Sequence, residues 1–418
     1  MKYTFICLLI FTHLIDLAAN DTLCFCDSTL FQKQLKPYGH ETLKKKGLNG
    51  EGVKVLVIDM GFNGADKNPY LSHLFDDNQI IAHRDFNTKK GIDFTTGIDH
   101  GTAVLFFMAG ELNDIQTGLA PKAQYALANL GKVNSVTDVM KEWIRIIDWA
   151  DSLGIDIIQT SVGTSYDIHS IKGYRKYDNV LRKAANLAAR KNMLLISALS
   201  NQSWFFRTSF VFPSFADSVL SVGALNNFNG TAAEYTSLGP NYDLSLKPEI
   251  SAVGDLHWYN VKMKATEFIQ GTSFSAPLVS GFAACIYQND TSLTAMELKD
   301  TIVKSSSLHP YYDYSHGHGL PFAEKYFGND IYKRDSTFSI KIRNDTVYIV
   351  PHHDYKGETF YYHIQSREGH IKEYYVFEAH QNDDGENEFY IVEKNHKQGE
   401  LLRVFHRSYM IEIKLNRE

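Results

Sequence analysis

Three short stretches carry side chains whose types and settings could do chemistry. Gly271-Thr272-Ser273-Phe274-Ser275-Ala276-Pro277 is a tight turn running into an apolar helical stretch, Leu278 to Tyr287. A serine hydroxyl is a weak nucleophile and needs a base beside it to attack a carbonyl. Gly271 allows a turn that a side chain would block, and Thr272 and Ser273 suit the cap of the following helix. At that position Ser273 has free backbone donors and the positive end of a helix dipole where an oxyanion would form. A lone Gly-Thr-Ser is ordinarily a helix cap without chemistry, so the other two stretches matter. Val53-Lys54-Val55-Leu56-Val57-Ile58-Asp59-Met60-Gly61 is a buried-strand pattern that places Asp59 at the strand's carboxyl end. Asp99-His100-Gly101-Thr102-Ala103-Val104 puts a histidine where an apolar helix, Val104 to Ala109, begins. A carboxylate, an imidazole and a hydroxyl, each at an element end, are the parts of a general-base triad.

The elements that must position these residues follow a regular alternation. After His100 a Gly118-Leu119-Ala120-Pro121 turn feeds a strand from Gln124 to Leu130. Val136 to Leu153 is apolar at helical spacing, through Val139, Trp143, Ile146, Ile147 and Ala150, and a buried strand follows from Ile155 to Thr160. Another amphipathic helix, Tyr177 to Asn192, precedes an apolar strand from Met193 to Ala198, and Ser218 to Leu225 and Pro248 to Val253 continue the pattern. Strands alternating with helices imply a parallel sheet covered on both faces, whose sites gather at the strands' carboxyl ends.

With the three motifs in the order Asp, His, Ser, the chain resembles the subtilisin-like serine peptidases (peptidase family S8) from about Gly47 to Phe327. The resemblance implies an α/β fold, a doubly wound, mostly parallel sheet with helices on both faces. It implies Asp59, His100 and Ser273 as the catalytic residues of a serine endopeptidase that hydrolyses extended polypeptide through an acyl-enzyme. Leu199-Ser200-Asn201 stands where the family has Ala-Gly-Asn, which makes Asn201 the implied oxyanion-hole donor beside the Ser273 amide. Ser161-Val162-Gly163 resembles the family's Ser-Leu-Gly, implied to bind substrate as an added strand. No cofactor is required for this chemistry. Structural calcium is common in the family, but the sequence assigns no ligands, and any metal site stays unknown. The chain departs from the family in two places: Ser200 replaces a glycine, and forty residues separate Ala19 from Asp59, where secreted members carry a long inhibitory pro-segment. The alternative reading is therefore a catalytically silent binding module on the same fold. Acyl transfer to an amine in place of water would use the same site.

Composition and the termini bound the remainder. Lys and Arg number 42 against 48 Asp and Glu, a net charge of -6, which gives no cationic field for nucleic acid. With 44% hydrophobic residues in 418, a large core and two or three domains are expected. Lys2, an apolar run to Leu17 and Ala18-Ala19 fit a secretory signal peptide cleaved near Ala19. No later stretch is long and apolar enough to span a bilayer, so the mature protein is expected to be extracytoplasmic, secreted or in the cell envelope. Cys24 and Cys26 are too close for an easy bridge and Cys285 falls in an apolar helix, which is no disulfide framework. His316 and His318 lack a third ligand at metal spacing and read as packing or surface residues. Beyond Asp330 short aromatic and β-branched runs separated by Asn, Asp and Gly predict a small all-β domain whose partner the sequence leaves open. The expected organisation is a signal peptide (1–19), an N-terminal segment with a short helix within Phe31 to Lys46 (20–46), a subtilisin-like catalytic domain (47–328) and a C-terminal β-rich domain (330–418).

Overall fold

Val55 and Val57 pack into one apolar cluster and Leu56 and Ile58 into a second, because successive side chains of a strand point to opposite faces. Their strand, β1 (Lys54–Asp59), lies inside a parallel sheet in this computed structural model. The structure describes residues 25–130, 136–163, 179–201, 212–226, 230–241, 243, 245–328, 336–343, 346–353, 359–367, 371–378, 389–392, 399–406 and 409–415. The expected signal peptide, Cys24, the start of the helix expected from Tyr177 and the 328–330 domain boundary lie wholly or partly outside those residues.

The chain continues through β2 (Ile80–Asp85), a two-stranded ribbon of β3 (Glu111–Leu112) and β4 (Ile115–Gln116), and then β5 (Gln124–Asn129), β6 (Ile157–Thr160), β7 (Leu194–Ala198), β8 (Leu220–Leu225) and β9 (Ile250–Val253). The main sheet has the order β2-β5-β1-β6-β7-β8-β9, and each neighbouring pair runs parallel. After β1 the chain moves to one side, to β2 and β5; from β6 onward it fills the other. The order therefore reverses between β1 and β6, and a crevice opens at their carboxyl ends.

The apolar helices His100–Ala109 and Thr272–Asn289 bury their side chains in the first cluster. The second cluster holds the apolar stripe of helix Val136–Leu153, with Val139, Trp143, Ile146, Ile147 and Ala150 inward, beside a helical stretch at 179–185. The sheet is thus covered on both faces, as the α/β alternation predicts. The N-terminal stretch holds more helix than the sequence suggests, Phe25–Leu35 and His40–Lys45 about a short 3-10 turn, with Phe31, Leu35 and Tyr38 in the first cluster.

An antiparallel hairpin, β10 (Asp255–Asn260) and β11 (Ala265–Gln270), leads from the sheet back to Gly271. The C-terminal strands are β12 (Phe338–Arg343), β13 (Thr346–Pro351), β14 (Thr359–Gln365), β15 (Ile371–Glu378), β16 (Phe389–Val392), β17 (Glu400–His406) and β18 (Tyr409–Leu415). They form antiparallel sheets β12-β13-β16 and β15-β14-β17-β18, which share a core of Phe338, Val347, Ile349, Phe360, Ile364, Leu402, Val404 and Leu415. An all-β unit therefore follows the α/β unit, as the short aromatic runs predict.

Candidate active site

Asp59 ends β1, on one lip of the crevice, and is fully buried. His100 opens its helix opposite, and its Nδ1 donates to Asp59 Oδ1 at 2.8 Å and lies 3.0 Å from Oδ2. Two features bring the helix this close. The Gly101 amide donates to the Gly61 carbonyl at 2.8 Å, and Thr102 Oγ1 donates to the Asn63 carbonyl at 2.9 Å. A Cβ on Gly101 would stand 2.5 Å from the Gly61 oxygen and 2.9 Å from Asp59 Cβ, so only glycine permits the approach. The Met60 amide donates to Asp59 Oδ1 at 2.7 Å, which leaves the carboxylate compensated although it is out of water.

Burial pulls the His100 pKa down, while the Asp59 charge and hydrogen bond, with Asp99 behind them, push it up; the net result lies above the ordinary value of 6.5. The His100 side chain keeps 26% of its surface exposed. Its ring centre lies 5.6 Å from that of Phe274, the two planes tilted by 45°. Asp99 is paired at 3.2 Å with Lys262 from the turn of the β10–β11 hairpin, a contact the sequence does not announce.

Ser273 is the second residue of helix Thr272–Asn289. The cap differs from expectation, because neither Thr272 nor Ser273 fills it. Gly271 is the N-cap at φ 155°, a backbone setting that favours glycine, and no side chain caps the helix from that position. Instead the Thr272 amide and hydroxyl both donate to Asn201 Oδ1, at 2.9 and 2.8 Å. A backbone amide can only donate, so the Asn201 oxygen faces it, and the Nδ2 donor stands beside Gly271. Asn201, just beyond β7, thus reaches the turn that carries Ser273.

Ser161, just beyond β6, meets Ser273 twice. Ser161 Oγ donates to the Ser273 carbonyl at 2.6 Å, and Ser273 Oγ donates to the Ser161 carbonyl at 3.2 Å. Gln159 Nε2 donates to Ser161 Oγ at 2.6 Å from inside the sheet. The Val162 side chain is buried and its carbonyl accepts from Thr160 Oγ1 at 3.0 Å, whereas Gly163 is exposed. Among the described residues the Ser273 hydroxyl bonds to Ser161 and not to His100. Asp59, His100, Ser161, Asn201 and Ser273 therefore gather around one crevice, with the Asp59–His100 pair formed and the Ser273 hydroxyl turned to Ser161.

The sequence motifs give no role to Gln159 or Pro277. Both leave a signal: a polar residue within an apolar strand, and a proline inside an apolar helix. His316 is buried, with its ring 4.1 Å from Phe405 and 5.0 Å from Tyr361, so it packs against the C-terminal unit. Cys285 is buried and free, its thiol 3.2 Å from the Leu119 carbonyl. Among the described residues no group of three or more His, Cys, Asp or Glu could hold a metal ion. Among the same residues no helix is long and apolar enough to cross a membrane.

The chain resembles known proteins over about two thirds of its length. Subtilisin NAT of Bacillus subtilis subsp. natto is 27% identical over 309 residues, covering 69% of this chain and 70% of that protein. A subtilisin of Bacillus pumilus is 26% identical over 308 residues, covering 69% of this chain and 97% of the other. The solved structure of the prenylagaramide maturation protease PagA superposes with a TM-score of 0.53 at 22% identity, over 70% of this chain and 98% of that one, a likeness of fold. Residues 50–325 match the model of the Subtilase family. Since that match spans well over half of its length, the chain belongs to the subtilase family of serine peptidases.

Proposed function

We propose that this protein is a secreted serine endopeptidase that hydrolyses extended polypeptide at the β1–β6 crevice. The observation that carries the reading is the Asp59–His100 pair, formed at 2.8 Å beside the helix start that bears Ser273. Ser273 Oγ leaves the Ser161 carbonyl, gives its proton to the free nitrogen of His100 and attacks the scissile carbonyl carbon. Asp59 holds the Nδ1 proton, fixes the tautomer and stabilises the imidazolium that forms. Asn201 Nδ2 and the Ser273 amide stabilise the oxyanion. His100 then passes its proton to the leaving amine, water hydrolyses the ester, and Ser273 is regenerated. The backbone of Ser161 to Gly163 at the crevice edge serves an extended substrate, with Gly163 exposed to it. No cofactor enters these steps.

One observation favours a silent site instead. The Ser273 hydroxyl donates to Ser161 and not to His100. In proteins without bound substrate such hydrogen bonds are often loose and tighten only in the complex, so the enzymatic reading is preferred. A fluorophosphonate probe and a casein assay decide between them. We expect covalent labelling and casein cleavage by the wild type, both lost in Ser273→Ala. A wild type that neither labels nor cleaves would leave the binding module as the reading.

A further inference from the structure

Pro277 stands four residues after Ser273 inside helix Thr272–Asn289. In an α-helix the amide of residue 277 would donate to the carbonyl of residue 273, and proline has no such hydrogen. The carbonyl of the very residue that carries the attacking hydroxyl is thereby left without its helical partner. Ser161 Oγ supplies one from outside the helix, at 2.6 Å. The donor is itself held: Gln159 Nε2 donates to Ser161 Oγ at 2.6 Å, and Gln159 is fully buried in β6. The line Gln159 to Ser161 to Ser273 runs from the rigid centre of the sheet to the helix start. It closes a ring with the return bond from Ser273 Oγ to the Ser161 carbonyl.

We propose that Ser161, through its hydroxyl, is a positioning residue for Ser273, fixing the backbone carbonyl that Pro277 leaves open. The proposal rests on the peptidase reading. Its logic is that a helix start missing one internal hydrogen bond can tilt, and the missing bond is replaced by one anchored in the sheet that also carries Asp59. The orientation of Ser273 is thereby referred to the same rigid element as its partners. A hydroxyl that served only substrate contact would have no reason to be bonded to this carbonyl.

The test is a double-mutant cycle of Ser161→Ala and Pro277→Ala, since the second substitution restores an amide donor for the same carbonyl. Fluorophosphonate labelling rate, kcat and KM for a peptide substrate, and Tm are measured for all four proteins. With Pro277 present, Ser161→Ala should lower the labelling rate and kcat about tenfold with KM little changed, as expected for one hydrogen bond lost from a positioned group. In the Pro277→Ala background, the same substitution should lower them less than about twofold, because the restored amide takes over the carbonyl. Equal losses in both backgrounds, no loss in either, or a loss confined to KM would each overturn the proposal. Coupling in Tm without coupling in rate would make the bridge purely structural and would also overturn it. Failure of the peptidase reading is read separately, from a wild type that takes no label, and it removes the proposal with it.

Discussion

At the scale of single residues the proposed chemistry turns on one proton. His100 accepts it only when neutral, so activity should appear as pH rises through a pKa that Asp59, opposing burial, holds above 6.5. The acid limb of kcat/KM is expected above that value, and Asp59→Asn should move the limb to lower pH while reducing the plateau. A limb that stays in place in Asp59→Asn would mean that Asp59 does not set the base. Stability follows the opposite sign. A histidine whose folded pKa is raised contributes stability that is complete below the unfolded value and is lost as pH rises through the folded one. The Asp59–His100 pair therefore stabilises the fold most in the pH range where the site is least active.

At the scale of elements, the strands behind the crevice are tied by a buried ionic group. Glu249, on the approach to β9, accepts at Oε1 from Lys247 Nζ at 2.6 Å and Lys299 Nζ at 2.8 Å. Its Oε2 accepts from the amide and hydroxyl of Ser221 in β8, at 2.9 and 2.5 Å. Burial pulls the Lys247 amine down to about 8 even with Glu249 beside it. Glu249→Ala would leave that amine without its counter-charge and should cost about 3–5 kcal/mol, read by denaturant unfolding. A loss below about 1 kcal/mol would mean that water replaces the carboxylate. Elements of this kind differ in how plainly the sequence shows them. The β1, β6, β7, β8 and β9 runs stand out because both faces of each are buried and most of their residues are small or apolar. The edge strand β2 and the hairpin β10–β11 do not, since Ile80–Asp85 is half exposed and Ala265–Gln270 alternates toward solvent. The cap of helix Thr272–Asn289 is hidden from a linear reading because its acceptor comes from Asn201, seventy-one residues earlier.

At the scale of the whole molecule, the C-terminal β-rich unit lies against the α/β unit along a seam of aromatic rings. Leu238, Leu308, Tyr312 and Tyr314 pack with Tyr361 and Phe405, and His316 is enclosed by the last two. Asp313 draws the segment together by accepting from the Ser315 amide at 2.6 Å, and it lies beside His316 at 3.3 Å. Burial raises the Asp313 carboxyl, but hydrogen bonding and the His316 charge outweigh it and hold the group at about 2. The seam also approaches the candidate site, since the Ser237 amide donates to the Ser200 carbonyl next to Asn201, at 3.0 Å. Phe405→Ala should therefore destabilise the intact chain by about 3–5 kcal/mol, the usual cost of a large aromatic lost from a core. Wild-type calorimetry should show one cooperative transition. Two separate transitions in the wild type would mean that the units do not support one another.

The sequence by itself determined the α/β class and the β-rich C-terminal unit, and it singled out Asp59, His100 and Ser273 as the candidates for chemistry. Burial patterns and short motifs are local, and locality is what a linear reading can weigh. Tertiary structure alone decided which atoms meet: Asn201 capping a distant helix, Lys262 pairing with Asp99, and Ser161 supplying the donor that Pro277 lacks. Those contacts depend on where the chain returns after a hundred residues or so, and hydrogen-bond geometry is set by tenths of an ångström that residue types do not encode.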